Sequence, residues 1–140
     1  DWCLARGITL VRWTYDPLRR VNALMNITRL GAQVSTYLPD YYGVMEGINK
    51  GTASDRLLAE WRLNSDAVQA CAAGQSGLTS AQQGKAARVE IPFDFAGLLD
   101  RDPDLAVSER LRVRAALQDA FAQGQVICGF EPETSAYLLL

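Results

Sequence analysis

Arg19, Asn22, Asn26 and Arg29 recur every three or four residues, so on a helix they form one row of guanidinium and amide donors. Such a row can border a polar ligand, and it can equally be the solvated face of an amphipathic helix. Glu60 is a candidate general base, although Arg62 two positions on suits a plain surface carboxylate with a cation beside it. Glu109 and Arg110 sit next to an apolar stripe and read as a structural ion pair, with a substrate-carboxylate role for Arg110 or Arg114 as the sharper alternative. Trp13 and Trp61 read as core in preference to a substrate platform. The sequence has no histidine, and its cysteines, Cys3, Cys71 and Cys128, are far apart with no CxxC pair. Ser-His-Asp and Cys-His catalysis are therefore excluded, and no metal site is expected.

The elements that position these residues belong to a chain of 140 residues, long enough for one domain with a real core. Apolar residues make up 49% and charged residues 21%, an ordinary globular balance. A net charge of −2 argues against a nucleic-acid partner, because phosphate binding needs a basic excess. No apolar run approaches the roughly 20 residues that cross a bilayer. No charged-then-apolar leader opens the sequence, and unpaired thiols suit a reducing compartment, so a cytoplasmic location is expected and a membrane partner is not.

Asp1–Gly7 (DWCLARG) reads as the end of a helix already under way, closed by Gly7, so the chain is expected to begin mid-domain. Ile8–Tyr15 alternates as a strand, with Thr9, Val11, Trp13 and Tyr15 on one face, both faces bulky as for a strand covered on both sides. Asp16-Pro17 then predicts a helix over 17–30, Asp16 as N-cap and Pro17 at the first position. Leu18, Val21, Met25 and Thr28 should face the sheet, and Gly31 should end the helix. Gln33–Leu38 is the next strand, stopped by Pro39. Asp40–Ser54 is glycine-rich and reads as a loop with one helical turn. Asp55–Leu63 returns to strand character, with Leu57, Ala59, Trp61 and Leu63 on one face.

The texture then changes to Ala, Gln, Ser and Gly, with a weak helix near 66–73 and a mobile stretch over 74–87. The expected organisation is therefore residues 1–63 as one unit, 64–87 as linker and 88–140 as a second lobe packing on the first. That lobe opens with a strand at Arg88–Ile91. Asp102-Pro103 starts a helix to about Gln123, ended by Gly124, with Val113, Ala116, Leu117, Ala120 and Phe121 as its stripe. Strands at Gln125–Phe130 and Ser135–Leu140 follow, joined by a turn at Pro132.

In wording and order, Ile8–Leu63 resembles the C-terminal half of a GNAT-fold acyltransferase, in a bacterial branch of predicted GNAT proteins often encoded near acylamino-acid racemases. The residues that carry the likeness are WTYDPL (13–18), Asn22-Ala23, Asn26, RLGA (29–32), YLPDYYG (37–43) and DRLLAEW (55–61). In the second lobe they are VEIPFDF (89–95), ERLRVR (109–114) and CGFE (128–131). The resemblance implies an α+β fold with a mixed sheet. Ile8–Tyr15 and Gln33–Leu38 would lie parallel, Asp55–Leu63 would be inserted antiparallel between them, and a C-terminal helix and short strands would follow.

The resemblance also implies a function: transfer of an acyl group from acetyl-CoA or another acyl-CoA to a small amine, with an amino acid as the suggested acceptor. Arg19, Asn22 and Asn26 would then border the CoA arm. The first splayed strand and the phosphate-binding turn would lie upstream of residue 1, together with most of the oxyanion donors. The family's usual acid, a tyrosine, is replaced in the neighbourhood Met25-Asn26-Ile27, leaving Tyr37, Tyr41 or Tyr42 as substitutes and the catalytic residues unassigned. A non-catalytic interaction module that keeps the fold without the chemistry is the alternative. An upstream Q/R-x-x-G-x-G/A turn would discriminate for the enzyme. The uncovered edge of Ile8–Tyr15 is expected to favour a homo-oligomer.

Overall fold

The alternation at the start of the chain forms strand β1 (Leu10–Tyr15) in the computed structural model, which describes residues 2–39, 55–75 and 77–140. A short helix α1 (Trp2–Ala5) precedes it, and Gly7 follows that helix at φ +76°. β2 (Gln33–Leu38) and β3 (Arg56–Arg62) occur close to the predicted spans. β3 pairs antiparallel with β1, from Leu10↔Arg62 to Tyr15↔Leu57, and antiparallel with β2, from Gln33↔Glu60 to Leu38↔Arg56 around a bulge. β1 and β2 therefore run the same way with β3 between them, as expected. The sheet is not mixed, however. Because β3 separates the two like-directed strands, they share no ladder, and every described ladder is antiparallel.

The second half of the chain extends the same sheet. Val34↔Ile127 joins β2 to β5 (Ile127–Glu131), β5 forms a hairpin with β6 (Ala136–Leu139), and β6 pairs with β4 (Ala87–Glu90). The strand order is β1-β3-β2-β5-β6-β4. Residues from both halves share one buried cluster, including Tyr15, Val34, Leu57, Ala59, Val113, Leu117, Ile127 and Tyr137. Trp13 and Trp61 pack edge to face against it, ring centres 6.1 Å apart, and the Trp61 indole donates to the Leu30 carbonyl at 2.8 Å. Both tryptophans are half-buried and pack on the core, in line with the plain reading. The opposite face of β1 is open at Arg12 and half-buried at Leu10 and Thr14.

The helix after β1 departs from expectation. Residues 16–19 form a turn, α2 spans only Arg20–Ala23, and Leu24–Arg29 continues as a π-helix. Leu30 accordingly bonds back five residues, its N–H donating to the Met25 carbonyl at 3.0 Å. The late start and the wider winding shift the phase of everything downstream. Leu18, Ala23, Asn26 and Ile27 are buried, whereas Val21 is 75% exposed and Met25 45%, so neither of the latter faces the sheet. Gly31 ends the segment at φ +76°, as predicted.

The stretch read as linker contains two capped helices, the first of them at the weak helix expected near 66–73. Ser65 caps α3 (Asp66–Ala72), and Thr79 and Gln82 form a complete capping box at α4 (Ser80–Lys85). α5 (Phe95–Arg101) follows β4, capped by Asp94. α6 (Pro103–Ala122) starts at Asp102, whose carboxylate accepts from the Leu105 N–H at 3.1 Å, and ends before Gly124 at φ +84°. The predicted loop and helical turn at 40–54 lie outside the described residues. Among the described residues no helix is long and apolar enough to cross a membrane.

Candidate functional site

Two arginines one turn apart on α6 organise the polar interior. Ala106, Arg110, Val113, Leu117 and Ala120 are the buried stripe of this helix, so Arg110 occupies a core position. Its guanidinium meets the Asp16 carboxylate in a two-pronged pair, Nη1 to Oδ1 at 2.5 Å and Nη2 to Oδ2 at 2.9 Å. Asp16 also accepts from the Leu18 N–H at 2.9 Å, so it caps the turn, whereas the N-cap position of α2 falls on Arg19. Glu109 pairs instead with Arg112 at 2.5 Å. The expected Glu109–Arg110 pair does not form, because successive residues on a helix point in different directions.

Arg114, the next turn along, grips Asp55 in the same manner, Nη2 to Oδ1 at 2.7 Å and Nε to Oδ2 at 2.9 Å. Tyr37 donates its hydroxyl to the same carboxylate. Burial, followed by that carboxylate, pushes the Tyr37 phenol well above its ordinary pKa, and the bonds that Arg114 donates to Asp55 hold it all the more firmly protonated. Tyr15 and Tyr137 are fully buried beside one another, and burial raises both phenols. Tyr137 donates to the Pro17 carbonyl at 2.7 Å. The Tyr15 hydroxyl, by contrast, has no well-formed hydrogen bond. The interior thus holds two carboxylate–guanidinium pairs and three neutral phenols between the sheet and α6.

The predicted ligand row is divided by the helix geometry. Arg19 is half-buried, its guanidinium 3.9 Å from Asp16 and 5.8 Å from the Phe95 ring centre, which Arg110 also covers at 4.7 Å. Asn22 is exposed, and Asn26 is buried at 7%. Arg29 is exposed at the far end of the π segment. Glu60 lies between Arg12 and Arg62, 3.3 Å from each, which is the plain surface role. Tyr41 and Tyr42 lie outside the described residues.

Sequence reasoning missed Asp16 and Asp55 as the partners of the α6 arginines. The available signal was Arg110, which falls on the apolar stripe of α6 with Arg114 one turn on at its border, a placement that calls for a carboxylate partner in the core. Among the described residues no three carboxylates or cysteines come together as a metal site. Comparison with protein-family models, with curated proteins and with solved structures found no significant match in any of the three.

Proposed function

We propose that this chain supplies the C-terminal part of a GNAT-like N-acyltransferase, which moves an acyl group from acetyl-CoA or another acyl-CoA to a small amine in the cytoplasm. The observation that supports this reading is the pair of like-directed strands β1 and β2, joined through α2 and the π segment and parted by the antiparallel β3. That is the order of parts the resemblance implies for this half of the fold.

Within this reading Arg19, Asn22 and Asn26 border the CoA arm in unequal roles. Asn22 is exposed and meets the ligand directly. Arg19, anchored by Asp16 and Phe95, offers a fixed cation beside it, and Asn26 lies beneath in a π segment, a winding frequent at functional sites. No base or acid is assigned, since Tyr37 spends its proton on Asp55 and Glu60 lies between two guanidinium groups. The partners are a small-molecule amine, with an amino acid as the suggested acceptor, and a second copy of the chain at the outer edge of β1.

Titration calorimetry on the full-length parent with acetyl-CoA tests the reading. Asn22→Leu should weaken binding by about 1–3 kcal/mol, the cost of leaving a ligand's hydrogen-bonding group without its partner. The 140-residue chain alone should release no thiol from acetyl-CoA or succinyl-CoA over a panel of amino acids. Unchanged affinity in Asn22→Leu returns the row to a solvated face, and absence of acyl-CoA binding by the parent overturns the reading. One observation favours the non-catalytic alternative: Arg110, Arg114 and Tyr37 are all engaged by internal carboxylates.

A further inference from the structure

A cleft of about 560 Å³ opens between the π segment, α3, the residues Gly74, Gln75, Gly77, Leu78 and Gln83, and the β5–β6 hairpin. Small-molecule sites span about 300–1,000 Å³, so the cleft is of ligand size. Ile27, Phe130 and Leu138 line it, together with the thiols Cys71 and Cys128. Burial pushes both thiols above their ordinary pKa, so they stay neutral and act as small apolar groups. Arg29 lines the same cleft. It is exposed and, unlike Arg110 and Arg114, has no ion pair among the described residues. No carboxylate lines the cleft among the described residues. A single free guanidinium beside an apolar wall complements a ligand with one anionic end and an apolar body.

We propose that this cleft binds a small monocarboxylic acid with an apolar tail, its carboxylate on Arg29 and its tail against Leu78, Leu138 and the two thiols. The proposal does not depend on the acyltransferase reading.

The three cysteines provide the test. None of them forms a disulfide, and Cys3 lies outside the cleft, so it serves as an internal control. Alkylation by iodoacetamide, followed site by site by mass spectrometry, is measured on the full chain with and without octanoate. Octanoate should slow labelling of Cys71 and Cys128 several-fold and leave Cys3 unchanged, whereas octanol at the same concentration should protect neither. Arg29→Gln, a substitution at an exposed position, should raise the octanoate concentration needed by about tenfold or more, the usual loss for a charged hydrogen bond. Three outcomes overturn the proposal: unaltered labelling at every cysteine, an equal change at all three, or protection that survives Arg29→Gln or is matched by octanol.

Discussion

Asp16 and Arg110 stand 94 residues apart in sequence and meet in the core as a two-pronged pair, with side chains only 6% and 1% exposed. The same carboxylate that ends β1 by capping the turn at Leu18 therefore ties that strand end to α6. Removing one partner strands the other charge in a dry environment. Asp16→Ala should cost about 3–5 kcal/mol in urea unfolding, while the double variant Asp16→Leu with Arg110→Met should recover much of that loss. A double variant no more stable than Asp16→Ala would show that the pair itself, and not the orphaned charge, supplies the stability.

The buried phenols set an alkaline limit. Tyr15, Tyr37 and Tyr137 all have folded pKa values above the ordinary 10.0, chiefly through burial. The unfolded chain therefore releases these protons first. Stability from these groups is complete below about pH 10 and falls as pH rises beyond it, by up to about 1.4 kcal/mol per pH unit for each phenol. Tyr15→Phe should change little at neutral pH, because its hydroxyl has no well-formed bond to lose, and should make the alkaline decline shallower by one phenol's share. Urea midpoints measured across the alkaline range check both parts.

Two glycines separate backbone strain from crowding. Gly31 and Gly124 sit at φ +76° and +84°, so alanine at either bears the left-handed cost of about 1–2 kcal/mol. A Cβ at Gly124 meets open space, but at Gly31 it would stand 3.1 Å from the Ala67 carbonyl oxygen and the Val68 Cα. Gly31→Ala should therefore cost about 1–3 kcal/mol more than Gly124→Ala, by wedging α3 away from the π segment. Equal losses in urea unfolding would show that α3 moves aside freely.

Much of the sheet was legible because its signals are local. Alternation placed β1 and β3, and Asp102-Pro103 with Gly124 bracketed α6, since caps and pleats depend on near neighbours. Helix α4 was legible too, for Thr79-Ser80-Ala81-Gln82 is a capping-box pattern, but the polar composition around it drew the reading toward a linker. The candidate site was less legible. A π winding has no composition signature, so the buried position of Asn26 could not be read from helical spacing, and Val21, ahead of that winding, is exposed in an α2 that starts only at Arg20. The pairing of Asp16 with Arg110 and of Asp55 with Arg114 is a tertiary choice between distant residues, and the adjacent Glu109 was the wrong partner to expect.

The outer edge of β1 yields the last prediction. β1 closes one end of the sheet, and its only ladder among the described residues is with β3. An edge strand keeps a row of backbone donors and acceptors free to pair with another chain unless charge or a bulge protects it. Here Arg12 is the only charged residue of the strand, and it is drawn toward Glu60 on β3 at 3.3 Å. Self-association through this edge is therefore expected, with light scattering that rises with concentration. Leu10 lies half-buried on the face that carries Arg12, so Leu10→Lys adds a charge at the edge without entering the core that holds Tyr15 and Leu57. That substitution should shift the profile toward monomer while the urea midpoint changes little. An unsubstituted chain that stays strictly monomeric at high concentration, or a Leu10→Lys variant that associates as strongly as the unsubstituted chain, would remove β1 as the contact surface.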